Sequence, residues 1–124
     1  MEQKFLKCLH CGQIVAMVKK TGVPVVCCGE AMQEIIAGTT DASKEKHTPR
    51  YIIEENKVKV FVGEVEHPMS AEHYIEWVSL QSKKGNQRKA LKALDKPYVE
   101  FLIEPDDEIE AVYAYCNLHG LWKA

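Results

Sequence analysis

The chain has no run of apolar residues long enough to span a membrane, which takes roughly 20 in a helix. Its opening residues, Met1-Glu2-Gln3-Lys4-Phe5-Leu6-Lys7-Cys8, contain no apolar core of a secretory signal, so the cytoplasm is the expected location. Neither sign of charge is in large excess: 16 Lys and Arg stand against 18 Asp and Glu, a formal net charge of -2. A nucleic-acid binder needs a concentrated basic face, so neither nucleic acid nor membrane is an expected partner. Internal repeats and low-complexity tracts are absent. One further lack concerns a single residue. Of five cysteines, Cys8, Cys11, Cys27 and Cys28 form a set near the N-terminus, and Cys116 is left without a cysteine partner.

What is present suits a small module joined to a medium domain: 124 residues, of which 46% are hydrophobic. The first segment runs to about Ala37. Ile14-Val15-Ala16-Met17-Val18 and Val23-Pro24-Val25-Val26 flank the turn signal Thr21-Gly22, which predicts a small β-hairpin between the two cysteine pairs. So little apolar area does not fold without a staple, and a bound metal would supply one.

Gly38 to Lys44 is small and polar and reads as a linker. From His47 onward the pattern is all-β. A strand starts at Ile52-Ile53. Lys57-Val58-Lys59-Val60-Phe61-Val62 places three valines at period two, and Tyr74 to Leu80 is rich in aromatic and β-branched residues. Lys84-Gly85-Asn86 is a turn, after which Gln87 to Ala93 returns as a hairpin partner. Its composition also suits a helix, and strand is preferred because its neighbours are strands. Val99, Phe101 and Ile103 alternate along another strand, Pro105-Asp106-Asp107 turns the chain, and Ile109 to Tyr115 is the last strand. Short strands with regular turns predict a small antiparallel sandwich.

In the cytoplasm cysteines stay reduced, and clusters of them are more often metal ligands than disulfides. Cys8-Leu9-His10-Cys11 and Cys27-Cys28 supply four thiolates for one tetrahedral ion, zinc or iron. Adjacent cysteines normally point apart, so gathering Cys27 and Cys28 on one ion strains the backbone. Gly12 and Gly29 follow the two pairs, where a tight turn brings amide groups toward the sulfurs. His10, between two ligands, is read as solvent-facing.

Cys116-Asn117-Leu118-His119 ends on Gly120 and forms a two-pronged clamp. Three more histidines lie outside the cysteine set: His47 after the linker, and His67 and His73 in one short loop, with Pro49 and Pro68 stiffening the backbone beside two of them. Four imidazoles and one thiolate are too many ligands for zinc, which closes at four. They fit a non-haem ferrous ion with one position open, onto which an anionic sulfur pushes electron density. Lys46 would bring positive charge near that position, and its neighbour Glu45 a carboxylate.

These residues, in this order, resemble the desulfoferrodoxin family of two-iron superoxide reductases. The resemblance covers nearly the whole chain. Cys8-x-x-Cys11 with Cys27-Cys28-Gly29-Glu30-Ala31-Met32 resembles a desulforedoxin module. Glu45-Lys46-His47-x-Pro49, His67-Pro68-Met69, His73, Ile75-Glu76-Trp77 and Tyr115-Cys116-Asn117-Leu118-His119-Gly120-x-Trp122-Lys123 resemble the catalytic domain. Tyr74 and Leu121 depart from residues common at their positions.

The resemblance implies a mainly β chain: a desulforedoxin-like, rubredoxin-type metal module at 1–37 and an immunoglobulin-like antiparallel sandwich at 38–124. It implies ferric iron on Cys8, Cys11, Cys27 and Cys28, with zinc as a substitute. It implies ferrous iron with His47, His67, His73 and His119 as equatorial ligands and Cys116 as the axial one. Lys46 assists the substrate, and Glu45 ligates the ferric resting state. The implied reaction is reduction of superoxide to hydrogen peroxide, with electrons from a rubredoxin-like carrier, in a homodimer that serves oxidative-stress defence. Two other functions compete on the residues alone. One is a structural zinc ribbon with a binding sandwich, and the other is an electron carrier using only the N-terminal iron.

Overall fold

The structure, a computed structural model, describes residues 2–124 and divides into two compact units, one ending at Ile36 and the other spanning Ala37–Ala124.

The first unit holds β1 (Lys4–Lys7), β2 (Ile14–Met17), β3 (Val26–Cys27), β4 (Glu30–Ala31) and β5 (Gln33–Glu34). The hairpin expected between Ile14–Val18 and Val23–Val26 does not form. Instead β2 pairs with β1, from Lys4↔Met17 to Lys7↔Ile14, β5 takes the other edge of β1, and β3 pairs with β4. The reason is local. The Cys8–Gln13 turn is closed by Cys8 N–H to Gln13 C=O (2.9 Å) and Gly12 N–H to Cys8 C=O (2.9 Å), with Gly12 at φ 81°. That turn joins its strands more directly than Thr21-Gly22 does, and leaves Val23 75% exposed. Both cysteine pairs therefore sit in hairpin turns. Among the described residues of this unit, Phe5, Cys8 and Met32 are the buried apolar ones, too few to hold a fold alone.

The second unit has one helical turn, α1 (Lys44–His47), and seven strands: β6 (Pro49–Glu54), β7 (Lys57–Val62), β8 (Ile75–Ser82), β9 (Asn86–Ala90), β10 (Tyr98–Leu102), β11 (Ile109–Cys116) and β12 (Gly120–Lys123). They form two antiparallel sheets, β10-β7-β6 and β12-β11-β8-β9, the expected sandwich. Alternation along β7 is strict. Val58, Val60 and Val62 are at most 1% exposed and join Ile75, Val78, Leu80, Val99, Phe101, Val112, Ala114 and Cys116 in the core. Each buried valine of this kind contributes about 1.5–3 kcal/mol of transfer free energy.

The helix-prone stretch after Gly85 is strand at Asn86–Ala90, paired to β8 from Gln81↔Asn86 to Trp77↔Ala90, so the ladder overrides propensity. Gly38 to Lys44 is more than a linker: Gly38 N–H donates to Leu121 C=O (2.8 Å), and the stretch runs straight into α1. The Cys116 clamp proves to be a turn between two strands, β11 and β12. A shift in the β11–β8 register between Tyr115 and Cys116 re-aims the cysteine at its end.

Candidate metal centres

In the first unit the four sulfurs of Cys8, Cys11, Cys27 and Cys28 lie within 4.8 Å of one another. The Sγ atoms of Cys11 and Cys27 are 3.7 Å apart, and those of Cys27 and Cys28 are 4.0 Å apart. Adjacent cysteines converge because Cys28 (φ 52°) and Gly29 (φ 77°) are both left-handed. All five cysteines of the chain are free thiols. The Cys11 amide, 3.5 Å from the Cys8 sulfur, is the main force bringing the Cys8 thiol down to about 6. Cys27, sharing its proton first with Cys11, is pushed up to about 12, and Cys28 is raised by the same neighbour. The Cys8 thiolate thus forms readily, and a bound cation would draw Cys27 and Cys28 into the anionic state. His10 is exposed and pairs with Glu30 (Nε2 to Oε2, 3.0 Å), off the sulfur cluster as expected.

The second unit brings all four remaining histidines together. His47 ends α1, His67 and His73 lie in the loop between β7 and β8, and His119 lies in the β11–β12 turn. Their ring centroids trace a near-square: His47–His67 4.6 Å, His67–His73 4.8 Å, His73–His119 5.0 Å and His119–His47 4.9 Å, with the diagonal His47–His73 at 6.3 Å. Successive rings meet at 73–87°, as ligands around one point do. The donor atoms of His47, His67, His73 and Cys116 all lie within 4.8 Å of one another. His119 stands just outside that group, its Nδ1 3.0 Å from His47 Nε2 and 3.9 Å from Cys116 Sγ. Cys116 is completely buried, whereas His73 and His119 are half-buried, so the sulfur approaches from the core side.

Backbone carbonyls set the tautomers. His47 Nδ1–H donates to Ser43 C=O and His67 Nδ1–H to Pro68 C=O, each at 2.6 Å. Their Nε2 lone pairs are thereby free for the centre of the square. His119 turns Nδ1 inward instead. The Nε2 atoms of His67 and His73 are buried and have no hydrogen-bond partner among the described residues. Buried polar atoms are rarely left so, and a metal ion satisfies both. Burial is the leading cause that lowers all three shifted histidines, His67 to about 4, with neighbouring imidazoles adding to it and Lys46 acting on His47 and His73. Neutral imidazoles are the form that binds metal. Burial raises the Cys116 thiol, opposed by the His119 and Leu118 amides. Both clusters therefore fit transition-metal ions: four soft sulfurs in one, imidazoles with a single sulfur in the other.

Glu45 and Lys46 are exposed, and the Glu45 carboxylate is not among the grouped donor atoms. Their backbone is closely held. Val65 N–H donates to Glu45 C=O (3.0 Å), and a Cβ on Gly63 would come within 2.6 Å of the Lys46 carbonyl carbon. Only glycine lets the β7–β8 loop pass under this turn.

Sequence reasoning named Trp122 and Asn117 without giving them a role. Trp122, 2% exposed, stacks on His47 (4.8 Å, 27°) and donates Nε1–H to His119 C=O (3.0 Å), holding two of the four histidines at once. Asn117 accepts from Tyr74 N–H (2.9 Å) and donates to Glu72 C=O (2.9 Å), tying the His73 loop to the cysteine turn. The signal was their position: Asn117 lies between Cys116 and His119, and Trp122 three residues after His119.

Residues 39–124 match the family model described as desulfoferrodoxin. The chain is 44% identical to a desulfoferrodoxin of Nitratidesulfovibrio vulgaris over 99% of its own length and 96% of that protein. It is 46% identical to a desulfoferrodoxin homolog of Archaeoglobus fulgidus, covering 95% and 93%. Among solved structures it superposes on the superoxide reductase from Treponema pallidum with a TM-score of 0.85 and 40% identity, covering 100% of this chain and 99% of that one.

Proposed function

The chain belongs to the desulfoferrodoxin family, and from that premise we propose that it is a superoxide reductase whose catalytic centre is the histidine square over Cys116. The observation that carries this reading is four imidazole rings at near-right angles around one point, with a single buried sulfur beside them. Ferrous iron, when bound there, supplies one electron to superoxide, which with two protons becomes hydrogen peroxide. His47, His67 and His73 would hold the ion through Nε2 and His119 through Nδ1, and Cys116 would add the anionic sulfur. The Ser43 and Pro68 carbonyls keep two of the rings in the donor tautomer. Lys46 draws the anionic substrate to the site, and Glu45 offers a carboxylate when substrate is absent.

The Cys8–Cys11–Cys27–Cys28 cluster holds a second iron, with zinc as its substitute. A rubredoxin-like electron carrier would be the donor that resupplies the electron. The protein works as a cytoplasmic homodimer in oxidative-stress detoxification. No helix among the described residues is long and apolar enough to cross a membrane. The test is rapid mixing of the chemically reduced protein with pulse-generated superoxide. Superoxide should disappear one to one with protein, peroxide should form and no oxygen should be released. Oxygen release, or no consumption, overturns the reading.

A further inference from the structure

Three of the four histidines in the square are held by a group outside it. The Ser43 and Pro68 carbonyls hold the Nδ1 atoms of His47 and His67, and Trp122 Nε1–H holds the His119 carbonyl. His73 has no such hold. Neither of its ring nitrogens has a hydrogen-bond partner among the described residues, although Nε2 is buried. Its loop lies outside the strands, and Ser70, Ala71 and Glu72 before it are exposed. With no partner on the ring, the direction of this imidazole depends on the backbone that carries it.

That backbone is gripped from the cysteine turn. Asn117 Oδ1 accepts from Tyr74 N–H and Asn117 Nδ2–H donates to Glu72 C=O, each at 2.9 Å. These two groups belong to the peptides on either side of the His73 Cα. The other ends of the same peptides, His73 N–H and His73 C=O, are held by the Ser70 hydroxyl at 3.1 and 3.3 Å and by the Ser70 backbone at 3.3 and 2.9 Å. A peptide unit is planar, so pinning both units fixes φ and ψ at His73, and with them the direction of its Cα–Cβ bond. Ser70 belongs to the same loop and would move with it. Asn117 is anchored elsewhere. It follows Cys116 directly, and its own N–H donates to Tyr74 C=O (3.2 Å), just beyond the Cys116↔Ile75 pair that ends the β11–β8 ladder. A side-chain amide offers the acceptor and the donor that this grip needs. Aspartate would keep the acceptor and turn a second oxygen on the Glu72 carbonyl.

We propose that Asn117 is the positioning residue for His73. It takes the part that the Ser43 and Pro68 carbonyls play for His47 and His67, acting on the backbone of the histidine instead of on its ring. It also locks the His73 loop to the strand end that carries Cys116, so the imidazole and the sulfur reach an ion as one preformed pair. The inference deepens the reading above and rests on the histidine square being a metal site, whatever substrate the ion meets.

The test is a double-mutant cycle on full-length, iron-loaded protein. Competition with a coloured chelator reads the affinity of the histidine site, and the thiolate-to-iron absorption reads its geometry. N117A should lower the affinity about 10–100-fold and shift the absorption toward that of H73A. In an H73A background the same change should cost no more than about twofold further, because Asn117 acts through that ring. N117D keeps the bond to Tyr74 N–H and should fall between wild type and N117A. It carries the same cycle if N117A does not fold. A residue that merely braced the sandwich would lower the melting temperature and leave affinity and absorption in place. Unchanged affinity in N117A and N117D, or equal losses with and without His73, overturns the clamp, and a loss in H73A then leaves the metal site standing. H73A with wild-type affinity and absorption overturns both.

Discussion

The two metal centres of this chain are built in opposite ways. The cysteine cluster sits on two hairpin turns of a unit whose buried apolar residues, among those described, are Phe5, Cys8 and Met32, and two of its four sulfurs belong to exposed residues. The histidine square hangs on the ends of a packed sandwich, with His47, His67 and Cys116 at most 2% exposed. In the first the ion makes the fold, and in the second the fold makes the ion's site. A turn-built site needs little chain and no core, at the cost of depending on its metal. A sandwich-built site holds its ligands before metal arrives, which is what a reaction centre with an open position needs.

Metal removal tests this contrast most severely. A structural ion in such a small module contributes roughly 10–16 kcal/mol of apparent binding free energy. Stripping both metals should unfold the first unit while the sandwich keeps its protection in hydrogen exchange. Joint melting, or an unchanged first unit, breaks the comparison.

Cys116→Ser comes next. The thiolate-to-iron absorption of the histidine site should vanish while the spectrum of the cysteine cluster persists. Loss of both spectra would mean that the centres are not independently built. Trp122→Phe keeps a ring against His47 and loses the Nε1–H bond to His119 C=O. Changes to groups that orient ligands lower metal affinity about 10–100-fold, and competition with a coloured chelator should place this variant at the lower end. Its metal affinity at the cysteine cluster should not move.

Lys46→Ala should slow the bimolecular reaction with superoxide several-fold and flatten its dependence on salt, leaving both spectra intact. An unchanged rate removes Lys46 from the steering role.

The smallest effect concerns the sandwich alone. The Ser82 hydroxyl (2.6 Å), then the Lys84 and Glu108 amides, hold Asp107 below the usual carboxylate range. A carboxylate with a depressed folded-state pKa contributes stability that is present above its unfolded value. That stability is lost as pH falls through the folded value. Ser82→Ala should therefore shrink the acid-side loss of stability in the metal-free protein below pH about 4. The cysteine cluster should respond to acid by releasing its ion instead, with or without Ser82.

Much of this was readable from residue order. The period-two valines of β7 announced a half-buried strand because a pleat puts alternate side chains on one face. Cys8-x-x-Cys11 and Cys116-x-x-His119 announced clamps because their partners are three residues apart. The hairpin between Ile14–Val18 and Val23–Val26 was misread because the apolar runs outweighed the turn chemistry: Cys8–Gly12 closes a tighter loop than Thr21-Gly22. β12 and the helical turn at Lys44–His47 went unread, being four residues each and too short to show a period.

Sequence by itself determined which residues can bind metal, and that they fall into a sulfur set and a mixed set, because ligand chemistry belongs to the side chain. Only the tertiary structure decided how the second set is used. His47 and His119 are 72 positions apart yet 3.0 Å apart in space, and folding alone closes such distances. The inward nitrogen of each ring was decided there too, since the carbonyls that fix His47 and His67 are placed by the backbone. So was the role of Trp122, whose hold on His47 and His119 exists only once β12 has paired with β11.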